Sequence, residues 1–201
     1  MKTFLTGFFT ACFLASTALA QVATGKAAPD FTATDALSGK SFSLKNYIGK
    51  TVVLEWTNYD CPFVKKHYSV SNMQNLQKNA LSNSIVWISI NSGAEGKQGH
   101  FASDAAAKQA VANAKASPSL YVRDTDGAIG KAYGAQTTPH MFVVDAKGIV
   151  AYQGAIDDNA SVDSADIATS KNYVAAAIAE LAAGKAVTTA TTRAYGCGVK
   201  Y

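Results

Sequence analysis

The chain has 201 residues, 16% of them charged and 10% aromatic, with 18 Lys and Arg against 14 Asp and Glu for a formal net charge of +4. That charge is spread without basic clusters, which argues against nucleic acid or an anionic membrane surface as a partner. The length suits one domain with a full-sized core, and no internal repeat or low-complexity linker interrupts it.

Residues 1–20, MKTFLTGFFTACFLASTALA, carry an early Lys2, an apolar middle and Ala18-Leu19-Ala20 ahead of Gln21. This pattern predicts a secretory signal peptide cut after Ala20, and its apolar stretch is too short for a lasting transmembrane anchor. Lipidation at Cys12 is disfavoured, because Phe9-Thr10-Ala11 is a poor lipobox. The expected organisation is a signal peptide at 1–20, one domain at 21–186, and a C-terminal tail at 187–201 that carries Cys197. Export, to the periplasm on this reading, leaves two cysteines, Cys61 and Cys197, where disulfides persist.

Between Ala27 and Tyr47, two short extended segments flank the turn Ser38-Gly39-Lys40, which predicts a hairpin. Thr51–Thr57 and Ser84–Ile90 are apolar runs of the kind buried on both faces of a parallel sheet. Between them, Phe63, Val70, Met73 and Leu76 recur at helical spacing across Pro62–Ala80, giving strand, helix, strand. Ser103 to Lys115 reads as a second helix capped by Ser103, followed by a short strand at Ser119–Val122 and a short helix at Ile129–Tyr133. Met141–Val144 and Ile149–Gln153 form an antiparallel hairpin around Asp145-Ala-Lys-Gly148. Val174, Ala177, Ile178 and Leu181 mark a closing helix ended by Gly184. The order implies a three-layer α/β sandwich with a mixed central sheet and an N-terminal β-hairpin.

Cys61 follows the first core strand and precedes Pro62 and a helix. Unpaired N–H groups and the positive end of the helix dipole favour a thiolate there, which points to thiol chemistry. Glu55 sits in the apolar strand between Leu54 and Trp56, a costly position unless the carboxylate is partnered or protonated. For Cys197 three arrangements stay open: a redox-active pair with Cys61 in which Cys197 resolves a mixed disulfide, a permanent staple, and two separate thiols. His140, His67 and Lys65 read as structural or solvated residues, and no ligand spacing supports a copper or zinc site. Gly93–Gly99 fails both nucleotide-loop patterns, and Asp157-Asp158-Asn159 reads as a solvated loop.

Several motifs in this order resemble the thioredoxin superfamily, specifically its redoxin branch related to peroxiredoxins and thiol-specific antioxidant proteins. They are Ala28-Pro29-Asp30-Phe31, Gly49-Lys50, Asp126-Gly127 with Ala132-Tyr133-Gly134, Thr138-Pro139 ahead of Met141–Asp145 and Gly148, and Gly196-Cys197-Gly198. The closest fit is a peroxiredoxin-like group of single-cysteine redoxins, and the match spans roughly Ala27 to Gly184. The resemblance implies a thioredoxin-like fold, a cis proline at Thr138-Pro139 that pairs with an extended substrate beside Cys61, and Glu55 as the acid/base of the thiol. Two departures narrow the chemistry. Val64 stands where thioredoxins have their second cysteine, and Asn58 stands where peroxiredoxins have a peroxide-orienting Thr or Ser.

The expected function is an exported thiol–disulfide oxidoreductase that acts on protein or low-molecular-weight thiols and disulfides, with Cys61, Cys197 and Glu55 as catalytic residues and Thr138 and Pro139 binding substrate. No cofactor and no metal are expected. The alternatives are a thiol-dependent peroxidase acting on peroxide, and a non-catalytic exported binding module with a structural disulfide.

Overall fold

The computed structural model describes residues 22–201; the signal-peptide reading and the Cys12 question lie outside the described residues. A hairpin of β1 (Thr32–Thr34) and β2 (Ser41–Ser43) opens the fold. Then come β3 (Val52–Trp56), α1 (Pro62–Ser69), α2 (Asn72–Ser82) and β4 (Val86–Asn91). They are followed by α3 (Asp104–Asn113), β5 (Leu120–Arg123), α4 (Ala128–Tyr133) and the two-residue β6 (Thr137–Thr138). The hairpin β7 (His140–Val144) and β8 (Val150–Gly154), helix α5 (Tyr173–Ala182) and the two-residue β9 (Cys197–Gly198) complete the chain.

The central sheet has the order β5-β4-β3-β7-β8. β3, β4 and β5 run parallel, and β7 and β8 continue the sheet antiparallel. Successive residues of β3 feed opposite faces, as strand geometry requires. Val52, Leu54 and Trp56 pack with Ile88, Ile90, Phe142 and Tyr133 of α4. Val53 packs on the other side with Trp87, Met141 and Val143 against Val64 of α1, Met73 of α2 and Val174 of α5. The result is the expected three-layer sandwich with a mixed sheet and an N-terminal hairpin.

One expected helix is two. The Pro62–Ala80 segment breaks at Val70 and Ser71, where Ser71 is left-handed (φ 62°) and Val70 is 49% exposed instead of joining the core. A non-glycine residue in that conformation costs roughly 1–2 kcal/mol. Gln74 offsets part of this, its Nε2 donating to the carbonyls of Tyr68 and Ala114 at 2.9 and 2.8 Å. The break separates α1 from α2 and leaves α1 as a short helix of eight residues with Cys61 as its N-cap.

The tail beyond α5 is built into the fold. Gln153 N donates to Ala190 O, and Thr192 N donates to Gln153 O, both at 3.0 Å. β9 pairs antiparallel with β6, with Thr138 opposite Cys197 and Thr137 opposite Gly198. Farther on, Val199 N donates to Gln136 O at 3.0 Å, and the Tyr201 hydroxyl donates to Ala135 O at 2.8 Å. A Cβ on Gly130 would collide with the Tyr201 ring, so α4 receives the end of the tail only because that position has no side chain.

Candidate active site

Cys61 is the N-cap of α1, with Pro62 at the first helical position, and its backbone carbonyl accepts from Val64 N and Lys65 N at 3.0 and 2.9 Å. Its own N–H donates to Asn58 O at 3.0 Å, so a tight turn delivers it from β3 to the helix. The residue is fully buried, at 0% exposure. Asn58 holds that turn: its amide donates to Gln98 O, and its side-chain oxygen accepts from Asp60 N. Gly99 lies so close to Asn58 that a Cβ there would collide with it. The Gly93–Gly99 segment, which fails the nucleotide-loop patterns, thus buttresses the Cys61 turn through Gln98 and Gly99.

Two groups face the Cys61 sulfur. The Thr138 carbonyl lies 3.1 Å away, and the Thr138–Pro139 peptide is cis. Cys197 Sγ lies 2.7 Å away. The β6–β9 register sets this approach by placing Cys197 directly opposite Thr138. Gly196 makes it sterically feasible: its φ is +136°, and a Cβ there would collide with the Thr138 carbonyl.

The two thiols are unequal. Burial opposes ionisation of Cys61, but the neighbouring Cys197 thiol and the backbone N–H groups of Val64 and Cys197 outweigh it and hold its pKa below the ordinary value. The Thr138 carbonyl works against them, because it accepts a hydrogen bond only from the protonated form. Cys197 is pushed up to about 11 by burial, by its hydrogen bond to Cys61 and by the Cys61 charge, with Lys200 acting against these. The two shifts run in opposite directions, and at 2.7 Å the sulfurs stand well inside van der Waals contact of each other.

Glu55 points to the same face of the sheet as Cys61, and it is completely buried. Its carboxylate accepts from Tyr68 Oη at 2.9 Å, Trp87 Nε1 at 2.8 Å, Ser89 Oγ at 2.7 Å and Gln77 Nε2 at 3.2 Å. These four donors come from α1, β4 and α2, and together they provide the partners that a buried polar group demands. None of the four hydrogen bonds goes to Cys61.

A second buried polar cluster escaped the sequence reading. Asp157, expected in a solvated loop, is 2% exposed; only its neighbour Asp158 is exposed. It accepts from the Tyr195 hydroxyl, and its other oxygen lies 3.8 Å from Lys66 Nζ and 3.9 Å from His67 Nε2. Lys66 Nζ also donates to Asn159 O at 2.8 Å, and His67 Nδ1 faces Asn72 Nδ2 at 2.8 Å. His67, expected to be half-buried packing, is therefore a fully buried member of a polar network. Helical spacing could have shown that Lys66 and His67 follow Cys61 by between one and two turns, but nothing in the sequence pairs them with Asp157 or Tyr195.

Lys65 is exposed. His140 lies buried in β7, its ring against Phe142 at a centroid distance of 4.6 Å and its Nδ1 accepting from Gln136 N at 3.2 Å, which is a structural role. Among the described residues, no helix is long and apolar enough to cross a membrane.

Residues 23–170 match the family model described as Redoxin. No curated protein matches the chain. Among solved structures, an uncharacterized conserved protein from Geobacillus kaustophilus is similar at 23% identity and a TM-score of 0.72, covering 89% of this chain and 92% of that one. A hypothetical protein from Sinorhizobium meliloti is similar at 23% identity and a TM-score of 0.72, with coverage of 90% and 96%. The thioredoxin domain of a thiol-disulfide oxidoreductase from Bacteroides vulgatus is similar at 22% identity and a TM-score of 0.52, with coverage of 66% and 89%. At these identities the solved structures establish a thioredoxin-like fold.

Proposed function

The chain belongs to the redoxin family, and on that premise we propose that it is an exported thiol–disulfide oxidoreductase in which Cys61 is the attacking thiolate and Cys197 resolves it. The observation that carries this reading is the 2.7 Å approach of two sulfurs whose pKa values are displaced in opposite directions. A lowered pKa supplies the nucleophile, and a raised one keeps the second thiol protonated until it is needed. Export rests on the pattern of residues 1–20.

In the reduced protein the tail is held by non-covalent contacts alone. When it lifts, the Cys61 thiolate attacks an acceptor disulfide; one acceptor sulfur joins Cys61, and the other leaves as a thiolate. Cys197 then loses its proton and attacks Cys61 Sγ. The acceptor's second sulfur leaves as a thiolate, and the Cys61–Cys197 bridge forms. The acceptor has gained two electrons, and the pair has lost two.

Thr138 and Pro139 enter this proposal as the edge along which an extended partner would pair, a place that β9 occupies when the tail is docked. Glu55 enters as a positioning residue, in place of the acid–base role implied by family resemblance, because its four donors tie α1, α2 and β4 together beneath Cys61. Protein or low-molecular-weight thiols and disulfides are the substrates. Asn58 is committed to its own turn, which argues for disulfide over peroxide chemistry.

The test is catalysed electron transfer from a dithiol peptide to oxidised glutathione. Acceleration by the wild-type protein that disappears in both Cys61→Ser and Cys197→Ser supports the proposal. An uncatalysed rate with the correctly folded wild-type protein would refute it, and would favour a binding module with a structural bridge.

A further inference from the structure

A groove beside the Cys61 turn takes no part in the chemistry above. It lies between α1 and the end of α3, has a volume of about 670 Å³, and starts at Asn58, Tyr59 and Asp60, directly ahead of Cys61 in the chain. All of its lining residues fall between Asn58 and Lys115. The docked tail, which covers Cys61 from the Thr138 side, therefore leaves it open.

Aromatic rings form its walls. Tyr59 and Tyr68 meet edge to face at 5.2 Å, and Phe101 stands against Tyr121, which in turn stacks on Tyr59. The Tyr68 hydroxyl is committed to Glu55, so the groove receives its ring. Gln74 lines the groove from α2 and is only 5% exposed. Its Nε2 is spent on the carbonyls of Tyr68 and Ala114, one on each wall, while its Oε1 has no partner. A buried acceptor in that state calls for a donor. At the rim, Lys65 and Lys115 are exposed and form no ion pair among the described residues, and Asp60 is the one acid that lines the groove. Ser71 and Lys115, two of the three non-glycine residues held at positive φ among the described residues, both line this groove, so its shape is kept at a conformational cost.

We propose that this groove recognises the polypeptide whose disulfide meets Cys61, and that it takes a tryptophan or tyrosine side chain flanked by an acidic residue. The ring buries against Tyr59, Tyr68 and Phe101, its N–H or O–H supplies the donor that Gln74 Oε1 lacks, and the acid pairs with Lys65 or Lys115. Reach favours a polypeptide over a small thiol. The eight residues of α1 rise about 12 Å, so a few extended residues at roughly 3.3 Å each carry a chain from Cys61 to any point along the groove. The site rests on the thiol–disulfide reading above and deepens it. It names a protein substrate and gives that substrate a contact that forms while the tail is still docked.

The experiment follows single-turnover reduction of three synthetic disulfide peptides by the reduced protein. One carries Glu-Trp beside its disulfide, the second Glu-Ala and the third Lys-Trp. Each rate is divided by the same peptide's rate with dithiothreitol, which cancels intrinsic reactivity. The Glu-Trp peptide should exceed Glu-Ala by roughly tenfold or more and Lys-Trp by about threefold. In Phe101→Ala the Trp advantage should shrink to about twofold or less. In Lys115→Glu, a change at an exposed side chain, the order of the Glu-Trp and Lys-Trp peptides should reverse. Equal rates for the three peptides, as a groove filled by a second copy of the chain would give, or a Trp advantage that survives Phe101→Ala, would overturn the site while leaving the oxidoreductase reading intact. Failure to reduce any of the peptides, or oxidised glutathione, would overturn both.

Discussion

The Tyr195 hydroxyl donates to the Asp157 carboxylate, and the same carboxylate faces Lys66 and His67 on the helix that Cys61 begins. Tyr195 precedes Cys197 by two residues, so one buried acid links the tail to the helix that carries the reactive cysteine. Phe63 packs edge-on against Tyr195 at 5.8 Å and adds an apolar contact to the same joint. Tyr195→Phe keeps the ring and removes one of two donors to Asp157 Oδ1, leaving that oxygen with Asn159 N at 3.1 Å. The expected cost is about 1–3 kcal/mol in denaturant unfolding, with slower formation of the Cys61–Cys197 bridge.

Gly196→Ala tests the approach of the tail directly. The added methyl meets the Thr138 carbonyl in a backbone conformation that side chains rarely adopt. The central sheet does not involve Gly196, so it should fold normally by circular dichroism. Bridge formation after dilution into oxidised glutathione should slow by about tenfold or more, because the two sulfurs no longer meet in the resting state. Wild-type kinetics in this variant would show that the β6–β9 pairing does not position Cys197.

Glu55→Gln separates support from proton transfer. An amide cannot accept from all four donors around Glu55 and brings two donors of its own into their midst, so stability should fall by about 2–4 kcal/mol. With a positioning role, the pH dependence of thiol alkylation at Cys61 keeps its shape in folded protein. A displaced titration curve would instead restore the acid–base role.

Stability should depend on pH through two buried histidines. Burial pushes His67 down to about 4, against Asp157, which draws it up, and with Lys66, which lowers it further. Burial alone pushes His140 down to about 4. Both rings gain protons more readily unfolded, where the ordinary value is 6.5. Their contribution is therefore complete above about pH 6.5 and is lost as pH falls towards 4. At pH 5 each accounts for about 2 kcal/mol lost relative to pH 7.5. Unfolding midpoints across this range should fall with pH, and His140→Phe should flatten the slope by about half.

What was legible in the sequence depended on how local its cause was. Continuous apolar runs gave β3 and β4, and the turn at Asp145–Gly148 gave the β7–β8 hairpin, because both signals lie within a few residues. The position of Cys61 between strand and helix was legible for the same reason. The break at Ser71 was hidden, since apolar spacing continues through it and the compensating bonds come from Gln74 and the distant Ala114 carbonyl. The docking of the tail was hidden more deeply. It depends on Gly130 and Gly196 leaving room, on a register between residues 138 and 197, and on an acid at 157 whose partners lie on two other segments. None of these leaves a periodic trace.

On the proposed function, Cys61 and Cys197 act as one redox-active pair in the native protein. This is tested most directly by equilibrating the native protein in glutathione redox buffers and counting free thiols at each cysteine by acid quench and mass spectrometry. Both thiols should disappear together in a single two-electron transition, reversibly and without unfolding. Independent behaviour would contradict it: Cys61 taking up glutathione while Cys197 stays free, or a bridge that opens only when the protein unfolds.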